Sequence, residues 1–158
     1  MADRTRSVGK NFTRALKSTT SLQEDCLVLK TDADGIVDLC DNATQPYAIA
    51  YRSTQDKFQA SVGKTAYLTG ADLTGQIAMF RSGWAELPLD FNHAAINIGD
   101  PITVGAGDIG RVDKLTIAAY TDLLLIVGWS EEKVAAGGVG TRIKPTLEVA
   151  LDIRGGAP

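Results

Sequence analysis

Apolar and polar positions alternate along this chain in short runs, punctuated by Gly, Asn and Asp about every ten residues. Cys26-Leu-Val-Leu-Lys30 and Ile36-Val-Asp-Leu-Cys40 predict two strands joined by the turn formers Thr31-Asp-Ala-Asp-Gly35. A hairpin centred on Ala33 would set Cys26 opposite Cys40, where a cross-strand disulfide is conceivable, although two buried free thiols suit a cytoplasmic product better. Further strands are predicted over 47–51, 57–68, 76–80, 84–89, 101–104, 111–117, 123–129 and 146–151, with helical turns at 71–78 and 92–97. One segment has a different period. In Lys10-Asn-Phe-Thr-Arg-Ala-Leu-Lys17 the apolar residues Phe12, Ala15 and Leu16 stand at i, i+3 and i+4, predicting a short amphipathic helix that needs a partner surface. The fold expected is all-β, a compact β-barrel or β-sandwich of short strands with a short N-terminal helix or arm.

The pattern also repeats. Asp25, Gly35, Val37 and Asp38 recur 75 positions later as Asp100, Gly110, Val112 and Asp113, and with three inserted residues Ile49-Ala-Tyr51 matches Val127-Gly-Trp129. A unit of strand, Gly turn, strand carrying Val-Asp, polar turn and strand ending in an aromatic is therefore expected twice, over about 25–53 and 100–131.

Composition narrows the classes. The 158 residues suit one domain, and 44% hydrophobic with 22% charged residues is ordinary for a globular protein. No apolar run approaches the ~20 residues of a membrane span, and the N-terminus reads as lacking a signal peptide, so synthesis in the cytoplasm is expected. The net charge of −3 divides unevenly: residues 1–20 hold five basic side chains against Asp3, a net of +4, and the remainder holds 11 basic against 18 acidic, a net of −7. Residues 1–21 therefore read as a basic arm on a single β domain over 22–158. Its charges are too dispersed for a nucleic-acid face.

Candidate chemistry is sparse, with one His and two Cys. Gly105-Ala-Gly-Asp-Ile-Gly110 is a literal G-x-G-x-x-G, but the β-branched Val112, Thr116, Ile117 and Thr121 that follow suit a strand better than a dinucleotide-binding helix. Ser61-Val-Gly-Lys-Thr65 ends like a phosphate loop, yet Phe58 occupies the place of its opening Gly. His93 has no acid in a triad context and reads as a surface or satisfied histidine. Cys26, Cys40 and His93 lack metal-ligand spacing, and Asp32, Asp34, Asp38 and Asp41 read as turn formers rather than a calcium loop. Trp84 and Trp129 read as core anchors. No catalytic, cofactor or metal site is expected.

The run Gly99-Asp-Pro-Ile-Thr-Val104, then Gly110-Arg-Val-Asp113, Ile126-Val-Gly-Trp129 and Ala135-Ala-Gly-Gly138, resembles small capsid decoration proteins of tailed phages, and Asp34-Gly-Ile-Val37 through Tyr47-Ala-Ile-Ala50 fits the same phrase. The likeness spans 24–151 and departs from that family in the basic N-terminal arm and in Arg142-Ile-Lys-Pro145. It implies a non-enzymatic β-barrel or sandwich cement protein of the virion, commonly trimeric, seated on the capsid surface over junctions of the major capsid protein, with no nucleic-acid or membrane partner. The arm then reads as a clamp on a neighbour. Arg4, Arg6, Lys10, Arg14 and Lys17 would guide approach, and Phe12 and Leu16 would supply lasting apolar contact. The other classes are a head-fibre or tail adhesin binding carbohydrate through exposed aromatics and, more remotely, a nucleotide-binding enzyme.

Overall fold

The computed structural model describes residues 11–73, 75–137 and 145–154, together with the backbone of 6–8. Eleven strands among them form two antiparallel sheets. The N-sheet comprises β2 (Phe12–Arg14), β3 (Val28–Thr31), β4 (Val37–Leu39), β5 (Ala48–Ala50) and β6 (Ile77–Phe80), in the order β2-β6-β5-β3-β4. The C-sheet comprises β7 (Gly83–Pro88), β8 (Pro101–Val104), β9 (Val112–Lys114), β10 (Gly128–Ser130) and β11 (Thr146–Leu151), in the order β7-β11-β10-β8-β9. A further strand, β1 (Arg6–Val8), is added to the outer edge of β7. The fold is an all-β sandwich.

The two orders are the same, with every strand number raised by five. The likeness extends to the irregular joints. After β2 the chain makes a parallel bridge between Leu16 and Val37, and after β7 an equivalent one joins Leu89 to Val112, so each sheet's first strand reaches back to its far edge. Antiparallel bridges Ser21–Thr69 and Ile96–Val134 follow in corresponding places. Asp38 Oδ1 accepts from the Leu39 amide (2.8 Å) and the Thr20 hydroxyl (2.6 Å), and Asp113 Oδ1 from the Lys114 (2.7 Å) and Ala94 (2.8 Å) amides. In both units this carboxylate ties the segment after the first strand to the hairpin. The turn residues Gly35 and Gly110 sit at φ +77° and +79°, which glycine adopts without a Cβ clash.

The sheets bury different faces. In the C-sheet Ala85, Leu87, Leu147 and Val149 point into a core, while the intervening Trp84, Glu86, Glu148 and Ala150 lie half-buried on the other side, the alternation their sequence displays. The N-sheet is buried on both faces. Its paired row Val28–Ile49–Phe80 joins that same core, and Leu29, Ala48, Ala50 and Met79 form a second core with Leu16, Leu22, Val37 and Tyr47. Continuous apolar runs such as Leu27-Val-Leu29 follow from this double burial. The C-sheet's hairpin turn docks directly on the N-sheet. Gly110 donates to Cys40 O and accepts from Val28 N, each at 2.9 Å, and a Cβ there would lie 3.0 Å from Leu39.

Four local expectations are corrected. The helix expected over 10–17 is β2, because period two governs: Phe12 and Arg14 are half-buried, Leu16 is buried and Ala15, which a helix would bury, is exposed. Within 57–68, Lys57–Ser61 is a helix (α1), started by the Asp56 carboxylate accepting from the Phe58 and Gln59 amides. Within 123–129 only the end is strand; Tyr120–Leu125 is a 3-10 helix whose entry is held by Asp122 Oδ2 accepting from the Ala118 and Ala119 amides. The first hairpin pairs Lys30 with Asp38, one step from the register centred on Ala33, so Cys40 binds Val28 rather than facing Cys26. Neither thiol is in a disulfide, and both are buried.

The closing bridges make their leucines core residues. Leu16→Ala and Leu89→Ala are each expected to lower stability by about 2–5 kcal/mol in urea titrations. An Ala15→Ser control is expected to stay within about 0.5 kcal/mol of wild type.

Candidate functional site

The seven residues expected to grip a neighbour are divided by the fold. Arg4 and Lys10 lie outside the described residues. Arg6 is in β1, its backbone opposite Ala85. Phe12 packs edge-on against Tyr47 with ring centroids 5.8 Å apart, and the Arg14 guanidinium stands 5.8 Å from the Phe12 ring. Leu16 is inside the second core. Lys17 is exposed and pairs with Asp38 at 3.5 Å. The expected apolar anchors are thus enclosed within this chain, because the β2–β6 pairing and the Leu16–Val37 bridge draw them inward.

The glycine-rich loop has an internal partner. Asp90, directly after the Leu89 bridge, is buried, and its Oδ2 accepts from the Gly107 (2.8 Å) and Asp108 (3.2 Å) amides while Oδ1 accepts from the Asn92 amide at 3.0 Å. A Cβ on Gly105 would overlap that carboxylate, and one on Gly107 would lie 2.9 Å from Oδ1. Asp108 reciprocates by accepting from the Phe91 amide at 3.1 Å. The glycines permit close approach of backbone to an anion, as in a nucleotide loop, but the anion is the protein's own. The Ser61–Thr65 stretch ends α1, with Gly63 at φ +78°.

Other candidates resolve into structure. His93 is buried, not at the surface; its Nδ1 lies 2.9 Å from the Ala94 carbonyl oxygen and its Nε2 has no partner among the described residues. Asp32 Oδ1 accepts from the Asp34 and Ile36 amides, both 2.9 Å, shaping the first turn. Asp41 accepts from the Thr44 hydroxyl, Lys30 and the Ala43 amide, which pull its carboxyl down to about 2. Burial pushes the Cys40 thiol up to about 12, so it stays protonated and unreactive at neutral pH. No cluster of three metal-ligating side chains occurs among the described residues. Trp84 and Trp129 are not core anchors. Both pair with Ala150 across the outer face of the C-sheet, and the Trp129 indole N–H donates to Asp152 at 3.0 Å, beneath the Arg154 guanidinium.

No protein-family model matches this chain, and no curated protein sequence does.

The features left for contact with another molecule are at the surface. A cavity of about 450 Å³ opens between Leu16-Lys17-Ser18 and the first hairpin, bordered by Lys30, Asp32, Ile36 and Asp38. Phe58 is 73% and Val62 58% exposed at the tip of the α1 hairpin, and Tyr120 is 87% exposed on the 3-10 helix. Sequence reasoning missed the α1 tip because it read 57–68 as a strand. The i, i+4 spacing of Phe58 and Val62, directly after the N-cap Asp56, was the available signal.

Removing the internal anion is expected to leave buried amides unpaired. Asp90→Ala should lose about 2–3 kcal/mol of unfolding free energy, and millimolar dinucleotide should leave its melting temperature unchanged. For Asp41 the folded carboxyl lies below the ordinary 3.8, so its stabilisation is present above that value and lost as pH falls toward about 2. The stability difference between wild type and Asp41→Asn should therefore shrink over that interval in urea titrations at stepped pH.

Proposed function

We propose that this chain is a capsid decoration (cement) protein of a tailed phage, a structural protein that assembles as a homotrimer on the outer capsid surface and braces contacts between major capsid subunits. The observation that carries this reading is the doubled unit. The phrase on which the likeness rests occurs twice, and both occurrences fold as the same group of three strands, β4-β3-β5 and β9-β8-β10. The core that both sheets share joins the two units into one body, which suits bracing. Since Phe12 and Leu16 are used internally, attachment falls to exposed groups, Lys17 and the loop-borne apolar side chains among them.

A second reading, a carbohydrate-binding adhesin module, is favoured by one observation: Trp84 and Trp129 flank the small Ala150 in a row across the outer C-sheet, with Glu86 and Glu148 paired in the next row. Indole faces beside carboxylates suit a polyhydroxylated ring.

Co-sedimentation with DNA-free expanded capsids of the encoding phage tests the first reading. Saturable binding at a fixed stoichiometry, and a solution mass near three times 16.7 kDa, are expected. A protein that stays in the supernatant at saturating capsid sinks it. Retention on a glycan array, lost in Trp84→Ala, would favour the second.

A further inference from the structure

The internal repeat shows where the two units differ, and two of the differences stand out at the surface of the N-unit. Between β5 and β6 the N-unit runs from Ala50 to the Thr69 bridge through a hairpin that the C-unit lacks, where the chain passes from Ser130 almost directly to the Val134 bridge. The base of this hairpin is fixed. Gln55 bridges Tyr67, Asp56 N donates to Ala66 O at 2.8 Å, and the buried Thr54 exchanges hydrogen bonds with Leu22. Its tip is α1, which buries no residue and holds Phe58 and Val62 one turn apart in solvent, flanked by Lys57 and Lys64, neither with a carboxylate partner among the described residues. A preformed apolar knob costs little to order on binding.

The second difference is a space. In the C-unit the residue after the closing leucine is Asp90, and the seven-residue loop 105–111 wraps it. In the N-unit the same place after Leu16 is Lys17, which turns to Asp38, and the loop 32–36 is two residues shorter. The counterpart of the space that Asp90 fills is thus the cavity of about 450 Å³, with Leu16 and the 37%-exposed Ile36 as its apolar surface and the exposed Asp32-Ala-Asp34 turn at its rim.

We propose that the knob of one copy seats in this cavity of a second copy, Phe58 against the exposed Ile36, with Lys57 and Lys64 facing the Asp32–Asp34 turn. Lys17 and Lys30 also border the cavity, but they pair with Asp38 and Asp41, so Asp32 and Asp34 are the carboxylates that meet the knob's lysines, on a body whose residues 21–158 carry a net −7. Knob and cavity are different surfaces, so the contact is heterologous and assembles copies head to tail, and the proposed homotrimer requires that its rotation close into a ring. The inference deepens the proposed function by naming the contact behind its self-association, and it rests on that part of the reading alone; capsid binding can fail and leave it standing.

The test is solution mass by light scattering on full-length chains, with circular dichroism as a fold check. Wild type is expected as an oligomer, while Phe58→Ser/Val62→Ser and, separately, Ile36→Glu run near 16.7 kDa with unchanged spectra. Mixing the two variants restores one contact per pair, because each keeps the surface the other lost, and gives a species near twice 16.7 kDa. A monomeric wild type overturns the proposal. So does a knob variant that keeps the wild-type mass, including one that fails only in capsid co-sedimentation, since its knob then meets the capsid instead of a second copy. A mixture that stays monomeric also overturns it, because knob and cavity are then not partners.

Discussion

Each half of this protein depends on one short parallel contact. Leu16 against Val37, and Leu89 against Val112, carry the first strand of each unit across to the strand at the opposite edge of its sheet. Antiparallel pairing lines up the five strands of each sheet, but it leaves both edges open. The bridge closes that gap with main-chain bonds (Lys17 N to Val37 O at 2.8 Å and Val37 N to Ala15 O at 2.9 Å in the N-unit, Asp90 N to Val112 O at 2.9 Å in the C-unit) and places a leucine in each core. Asp38 and Asp113 then fasten the segment that follows. Without the bridge, Leu16 and Leu89 would lose their burial and the loops behind them their anchor.

The two units are not independent modules laid side by side. Because Gly110 of the C-unit's turn bonds Val28 and Cys40 of the N-sheet, and the Val28–Ile49–Phe80 row shares a core with Leu87, Ile102 and Val149, the N-sheet is enclosed on both faces. Arg111 reinforces the junction through Glu24 at 2.6 Å, with its guanidinium 4.8 Å from the Phe91 ring. The N-unit's own turn, around Gly35, has no such role; its neighbour is Arg14 of the same unit. The repeated unit supplies the frame, and the asymmetric packing of one unit's turn into the other's sheet makes it one core.

The all-β class and the doubled unit were legible in the sequence because they rest on local signals: alternation in β7 and β11, turn formers at Asp32–Gly35, and the recurrence of Gly, Val and Asp at matched places. Strand β4 and strand β9 lie 75 residues apart, as the gapless repeat requires, whereas β3 and β8 are displaced by two because the second loop is longer. What was not legible depends on distant partners. The Phe12–Leu16 segment carries both helical and alternating periods, and only pairing with β6 selects between them. The glycine loop looks like a nucleotide loop locally; its meaning comes from Asp90, which is near it only in the folded chain. The tip at Phe58 and Val62 escaped notice because 57–68 reads as a strand. Asp56 and the i, i+4 pair signal the helix, but that both side chains stay in solvent depends on the absence of a packing partner among the described residues of the folded chain.

The hairpin over 55–67 is a different kind of element from the rest. A five-residue helix is far below the length at which helices stand alone in water, and α1 has no buried face to compensate. Its order comes from its ends: the Asp56 cap, the left-handed Gly63 that closes it, and a base pinned to Leu22. Such an arrangement stabilises the backbone without covering the side chains, so the exposure of Phe58 and Val62 follows from how the tip is built rather than from a failure of packing. The same reasoning applies to the cavity beside Leu16. Where the C-unit spends a carboxylate and a longer loop to fill that place, the N-unit's Lys17 turns away to Asp38 and leaves apolar surface at its mouth. Both departures from the repeat expose apolar area that the frame itself does not require, and both are tied down by backbone hydrogen bonds, the combination in which a contact with another molecule recovers the hydrophobic free energy at least entropic cost.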